Sequence, residues 1–370
     1  MKTNLSFIQT NQKNIPEIVE LDKHKDYMYW GDDNKLPYYL YNLSTKSSVM
    51  EAIIGSFVDY VMGDEVVNNT GVSYINRKGE TIEDLIRKCV NDYALFGGFC
   101  IQVIRTKSLE KVAELNWMDM RHVRVDKDET TVYYCDWNPA TGKKKQPVKY
   151  PIYLRGAKQP NSVYYFKGLL TRGVYPMPMY VGSLTSIETQ AEISNYHLNA
   201  ILNNFNAGTI VNFNSGQNLG EDEIEEIEEK IYSKFSGTDN ANKILLSFND
   251  DSEHATTIER MADDNTDKKY DQLYDTTIND IYAGFRCNPI LTGLNKTNSG
   301  FSGQEFNDAF KLYNKTVIYP AQKIIIDAFE KLFGKGCIEI KPFTIKFDTP
   351  QAEGENIEAP NNNNEINNVE

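Results

Sequence analysis

The apolar residues Phe306, Phe310, Tyr313, Val317, Ala321, Ile324, Ala328 and Leu332 recur every three or four positions over one unbroken stretch. That rhythm predicts a single helix over Gly303–Phe333, roughly 46 Å long at the usual rise per residue. Ser302 and Glu305 have capping-box spacing at its start. Pro320 has no N–H to give, and its ring crowds the carbonyl one turn back, so a kink is expected there. Such a helix needs a large surface to lie against, and a neighbouring subunit is one supplier.

What precedes it narrows the choice further. Residues 183–205 carry Leu184, Ile187, Ala191, Leu198, Ile201, Leu202 and Phe205 at helical spacing, with Thr185 and Glu188 placed for a capping box. A second amphipathic helix, to about Arg286, carries Tyr270, Leu273, Tyr274, Thr277, Ile278, Ile281 and Phe285 on one face. Between the two, residues 206–258 read as strand–helix–strand. Thr209–Phe213 and Lys243–Phe248 are the strands, and Ile224, Ile227, Ile231 and Phe235 form the helical stripe. Seven of the nine residues in Glu221–Glu229 are acidic, which suits the positive end of a helix. They read as a solvated face or as a docking surface. Asp263–Asp267 looks like a calcium loop but fails as one: Lys268 stands at the sharp turn and Tyr274 at the bidentate acid position. Asn288-Pro289 ends the second helix, and Pro289–Gly303 (PILTGLNKTNSGFSG) is a glycine-bearing loop into the long helix.

The first half alternates helices and strands. A helix begins near Pro37. Ser47 or Ser48 caps a second, which carries Val49, Ile53, Ile54, Phe57, Val58 and Val61 and stops at Gly63. Thr81 starts a third, with Ile82, Leu85, Ile86, Cys89 and Val90 facing inward up to Gly97-Gly98. Cys100–Arg105, Glu114–Trp117, His122–Val125 and Thr131–Trp137 read as strands, with Asn138–Gly142 a hairpin tip followed by three lysines. Cys337–Asp348 reads as strand broken by Pro342. From Thr349 the chain is rich in Asn and Glu, and disorder is expected there.

Composition then excludes several functions. A 370-residue chain with net charge −13 does not wrap DNA by neutralising phosphates, which takes clustered Lys and Arg. An acidic surface is still compatible with letting DNA slide past. No signal-like start and no apolar run long enough for a membrane span occurs. Cys89, Cys100, Cys135, Cys287 and Cys337 are odd in number and widely spaced, and read as reduced cysteines of a cytosolic chain. His24, His122, His197 and His254 never fall at zinc-ligand spacing. No phosphate loop and no nucleophile elbow is present. No cofactor, resident metal or catalytic residue is expected.

The order of these elements resembles the portal proteins of tailed double-stranded DNA bacteriophages, and among them the shorter, HK97-like group. Trp30–Pro37 with the helix ending at Gly63, Asp92–Ile104 (DYALFGGFCIQVI) and Phe285–Gly293 (FRCNPILTG) carry the local likeness, which covers roughly residues 25–348. Cys287-Asn288 departs from the apolar residue usual before the loop proline. The resemblance implies an α+β, ring-forming fold. Residues 1–182 would be the N-terminal region and α/β wing, 183–205 a stem helix and 206–258 the clip. Residues 259–287 would be the second stem helix, 288–302 the tunnel loop, 303–334 the long kinked helix, 335–348 C-terminal wing strands and 349–370 a tail.

The resemblance further implies a homo-oligomer, a ring of twelve at the capsid vertex of the virion, assembled in the host cytoplasm. Double-stranded DNA would pass through it during packaging and ejection. Its other partners would be the large terminase, a head–tail adaptor and the major capsid or scaffold protein. Leu294, Asn295, Lys296, Thr297, Asn298 and Ser299 would face DNA, with Lys296 the only charge among them. Glu221, Asp222, Glu225, Glu226, Glu228 and Glu229 would form the docking surface of the clip. Another head–tail ring component, or a metal-dependent nuclease with converging carboxylates, is the alternative.

Overall fold

Two helices joined through one residue open the body. α1 (Leu36–Lys46) holds Pro37 in its first turn, where a missing N–H costs nothing, and α2 (Ser48–Met62) follows Ser47. The Ser47 hydroxyl accepts the Met50 N–H at 3.2 Å and so caps α2. α2 stops at Gly63, where φ is 66° and a Cβ would lie 1.9 Å from the Lys341 carbonyl oxygen. Only glycine meets both demands. α3 (Ile82–Phe96) starts in a reciprocal capping box: Thr81 Oγ1 accepts the Asp84 N–H at 3.1 Å, and Asp84 Oδ2 accepts the Thr81 N–H at 2.9 Å. Its predicted inward residues, Ile82 to Val90, are buried against α2.

The computed structural model describes residues 16–140, 142, 146–168, 173–202, 209–214, 244–249, 266–294 and 303–344. Its strands, in chain order, begin with the short pair β1 (Glu20–Leu21) and β2 (Tyr29–Trp30), then β3 (Glu65–Asn68). β4 (Gly98–Arg105), β5 (Val112–Met118), β6 (Val123–Val125), β7 (Thr131–Tyr134), β8 (Val148–Pro151) and β9 (Asn161–Lys167) follow. β4 is the centre of an antiparallel sheet ordered β5-β4-β9, and β6-β7-β8 form a second. β12 (Ile338–Lys341) ends before Pro342 and pairs antiparallel with β3, tying the two ends of the body together. β3, β8 and β9 are strands that the pattern analysis does not anticipate. The expected strand to Trp137 ends at Tyr134, because Trp137 turns inward and its indole N–H donates to the His122 carbonyl at 2.8 Å.

Arg124 of β6 is fully buried and pins the Trp30–Asn34 segment. Its guanidinium donates to Asn34 Oδ1 and O, both at 2.5 Å, and to the Val123 carbonyl at 2.6 Å, and it lies 5.2 Å from the Trp137 ring centre. Burial lowers its pKa, and these acceptors together with the aromatic faces stand in for a carboxylate.

α4 (Leu184–Leu202) leaves the body, and α5 (Thr266–Gly284) returns to it. The two are antiparallel, since Ser183, just ahead of α4, donates its hydroxyl to the Asp280 carbonyl near the end of α5 at 2.8 Å. Glu188 accepts the Tyr39 hydroxyl at 3.2 Å instead of closing a box with Thr185, because the helix already begins at Leu184. Leu184, Ile187, Ala191, Ile278, Ile281 and Phe285 are buried as expected, whereas Leu198, Leu273 and Tyr274 are exposed. Beyond α4, β10 (Thr209–Asn214) and β11 (Ile244–Asn249) pair in parallel, Thr209 opposite Ile244. A parallel pair needs a crossover between its strands; the helix expected within it lies outside the described residues.

The long helix runs as α6 (Gly303–Tyr313), a π-helical turn (Asn314–Ile318) and α7 (Tyr319–Phe333). The expected irregularity at Pro320 takes this form. The Tyr319 N–H reaches back five residues to the Asn314 carbonyl, and the Thr316 hydroxyl donates to the Leu312 carbonyl at 2.8 Å. The widened turn makes room for the proline ring. It also rotates α7, so Ile325 and Phe329 join Ala321, Ala328 and Leu332 in the core while Ile324 is only half-buried.

Candidate functional site

The loop ahead of the long helix has a rigid foot. α5 ends with the Arg286 N–H on the Ala283 carbonyl and the Cys287 N–H on the Tyr282 carbonyl, both at 3.0 Å. This is a Schellman motif whose left-handed position, usually glycine, is filled by Arg286 at φ 54°. The Arg286 side chain is exposed. Asn288 Oδ1 then accepts the Ile290 N–H at 3.1 Å, and Pro289–Thr292 form a 3₁₀ turn closed by Gly293 at φ 79°. The sequence suggests an irregular loop from 288. The structure instead folds its first residues and buries Ile290 and Leu291.

Two tyrosines hold this turn. The Tyr60 hydroxyl of α2 donates to the Leu291 carbonyl at 2.5 Å, and the Tyr282 hydroxyl shares a hydrogen bond with Thr292 Oγ1 at 2.5 Å. Tyr60 also packs 5.3 Å from Phe310 and 4.9 Å from Phe343, ring centre to ring centre. Burial pushes its phenol up to about 12, so it remains a donor throughout the neutral range. Cys287 is likewise pushed up to about 12 by burial, against the hydrogen bond it receives from Tyr313. It is an unreactive, protonated thiol at neutral pH. The returning end of the loop enters α6, which packs on the same 3₁₀ turn and has Phe306 buried. The loop therefore leaves and re-enters the body at one place.

Of the loop residues singled out from the sequence, Leu294 stands exposed at the foot, its N–H on the Pro289 carbonyl at 3.2 Å. Asn295, Lys296, Thr297, Asn298 and Ser299 lie outside the described residues, as do Glu221, Asp222, Glu225, Glu226, Glu228 and Glu229. Sequence reasoning missed Tyr60, Tyr282, Thr292 and Arg286. Only Arg286 left a signal, the missing glycine where a helix ends.

The α4–α5 pair is closely joined where it meets the body. A Cβ on Gly284 would lie 2.1 Å from Ser183 Oγ, so the absent side chain lets α5 approach the start of α4. Among the described residues, no three His, Cys, Asp or Glu side chains are grouped to hold a metal, and no helix is long and apolar enough to cross a membrane.

The features assembled so far are a mixed α/β body, an antiparallel helix pair, a parallel-stranded insert at its far end, and a clamped loop feeding a long bent helix. This is a mixed α+β architecture in which the helix pair α4 and α5 carries the insert away from the body. The chain belongs to the phage portal protein family, whose model matches residues 72–359. It is similar to a chain in the neck of a native GTA particle computed with twelve-fold symmetry, with 12% identity, TM-score 0.52, 83% of this chain and 84% of that one covered. It is also similar to a chain in the virion of a native gene transfer agent particle, with 15% identity, TM-score 0.51 and coverage of 85% and 84%. An HK97 family phage portal protein from Corynebacterium diphtheriae aligns at 11% identity, TM-score 0.47 and coverage of 82% and 93%. A comparison with curated proteins found no match.

Proposed function

We propose that this chain assembles as a ring of about twelve copies at one capsid vertex, a closed cyclic assembly of head-to-tail contacts. Double-stranded DNA enters and leaves through the centre. Membership of the portal family carries this reading, and the clamped loop between stem and long helix supports it. Residues 1–182 with 335–348 form the wing, α4 and α5 the stem, 206–258 the clip, and Leu294–Ser299 the part of the tunnel loop nearest DNA. Each copy contributes a net charge of −13. An acidic conduit repels phosphate, so the duplex passes without sticking. Lys296, and Arg286 at the foot, supply local positive charge where the loop meets the duplex. The chain itself does no ATP chemistry in this scheme; the terminase motor does that work.

The clip carries Glu221, Asp222, Glu225, Glu226, Glu228 and Glu229, which we assign to docking the terminase during packaging and the head–tail adaptor afterwards. Capsid or scaffold protein contacts the wing. Light scattering and negative-stain microscopy of the purified chain test the ring: annular particles with a central hole are expected, and a small stable dimer would remove the reading. Replacing Glu225, Glu226 and Glu229 by Lys should weaken terminase or adaptor binding at least ten-fold while rings persist. Undiminished binding would end the docking assignment.

A further inference from the structure

One end of the β5-β4-β9 sheet carries charge of the opposite sign to the chain as a whole. Two loops meet there, Arg105–Lys111 between β4 and β5 and Tyr153–Pro160 between β8 and β9. The Arg105 N–H donates to the Pro160 carbonyl at 2.9 Å, and Lys158 pairs with Glu110 at 2.6 Å. Together the loops hold Arg105, Lys107, Lys111, Arg155 and Lys158 against one acid, Glu110, in a chain of net charge −13. Arg105 is half-buried and braces the root, its guanidinium 5.8 Å from the Tyr153 ring centre. The other four cations are exposed.

Most of that charge is not neutralised within the chain. Arg77, Arg87, Lys88, Arg121, Lys127 and Lys167, elsewhere on the body, each form an ion pair. Lys107, Lys111 and Arg155 are in no ion pair among the described residues, because the Glu110 carboxylate is taken by Lys158 and that of Glu114, further along β5, by Arg77. The adjoining stretch Asp327–Lys335 sets Lys331 and Lys335 against Asp327 and Glu330 and adds no net charge. Leu154 is the one large apolar side chain exposed on the two loops. A single leucine gives a protein partner no apolar core to bury, whereas phosphates need only the cations.

The tip also lies well away from the tunnel loop. The Tyr153 hydroxyl donates to the Lys331 carbonyl at 3.0 Å, near the end of α7, while the loop foot packs on α6 at the start of the same long helix. About 40 Å of helix separates them.

We propose that Lys107, Lys111, Arg155 and Lys158 form a second contact for phosphates of double-stranded DNA, separate from Lys296 and Arg286. Four cations hold a few phosphates and do not wrap a duplex, in keeping with the acidity of the rest of the chain. The choice of DNA rests on the portal reading above.

The test is fluorescence anisotropy of a short labelled duplex with the full-length chain, titrated at rising salt from about 50 mM. Replacing Lys107, Lys111 and Arg155 by Ala should weaken binding at least ten-fold and flatten the log–log salt dependence by about 3, close to one per phosphate released. The same loss should appear in a Lys296→Ala background. Lys107→Arg/Lys111→Arg, which keeps the charge, should bind as the parent does, and so should Leu154→Ser. Melting curves should stay cooperative throughout. Undiminished binding in the triple Ala variant would overturn the proposal, as would a parent chain that does not bind duplex at low salt. An equal loss in Leu154→Ser would show that loop shape and not charge is read, and would overturn it too. A triple Ala variant that binds duplex normally but loses another virion protein would make the tip a protein dock instead. Each of these failures leaves ring formation, scored separately by light scattering, as the test of the portal reading.

Discussion

The hydroxyl of Tyr60 donates to the carbonyl of Leu291 at 2.5 Å, joining the core of the body to the turn from which the loop departs. The two residues are 231 positions apart, so this bond fixes the loop foot relative to the first helices. Tyr60→Phe keeps the ring beside Phe310 and Phe343 but leaves the Leu291 carbonyl without this donor. A loss of about 1–2 kcal/mol in unfolding free energy is expected, together with faster hydrogen exchange at Leu291 and Gly293. Unchanged exchange at those amides would show that the foot is held without Tyr60.

Burial pushes the phenols of Tyr60, Tyr134 and Tyr164 up to about 12. In the unfolded chain tyrosine ionises near 10. A folded-state pKa above the unfolded one means that the stability linked to these groups is complete below about pH 10. It is lost as the pH rises through about 12. Urea unfolding between pH 8 and 11.5 should therefore give a plateau followed by a steep fall; exposed tyrosines ionise in the folded protein, and a second rise of tyrosinate absorbance should accompany unfolding. Complete ionisation of all tyrosines near pH 10 while the fold persists would contradict the burial of these rings.

Arg286 occupies a left-handed position, φ 54°, at the end of α5. Glycine adopts that conformation freely, and arginine does so at a cost of order 1 kcal/mol. Arg286→Gly should therefore raise stability slightly, by up to about 1 kcal/mol, and weaken DNA retention if the guanidinium meets phosphate. A stability gain with unaltered DNA retention would assign Arg286 no role at the loop.

How much of this was legible depends on the range of the interactions. The caps at Ser47 and Thr81, the stops at Gly63 and Gly97, the two amphipathic helices on either side of the insert and the strand before Pro342 all follow from local chemistry, and all are present. β3 and β9 were invisible because the partner of each is distant in sequence: β3 pairs with β12, and β9 with β4. The shift of the core stripe to Ile325 and Phe329 follows from a π turn that a fixed 3.6-residue period cannot describe. The foot of the loop was hidden for the same reason as β3. Leu291 and Thr292 look like loop residues until Tyr60 and Tyr282 are brought to them. The exposed Leu198, Leu273 and Tyr274 read from sequence as core. Among the described residues nothing covers them.

Those relationships also decide how the loop should be cut. Leu294 belongs to the foot, since its N–H bonds the Pro289 carbonyl at 3.2 Å, while the entry to α6 packs on the same turn. Removing Asn295–Ser299 therefore shortens the excursion between two fixed points without disturbing either one. Rings should form as before, with a melting temperature within a few degrees of the parent. Heads assembled from this variant should package or retain less DNA, because the residues assigned to the duplex, Lys296 among them, are gone. Replacing Lys296 alone by Ala isolates the charge: if the girdle of positive charge grips phosphate, this variant should show part of the same defect and less dependence on salt. Heads filled normally by the deletion variant would place the DNA-facing surface elsewhere on the ring.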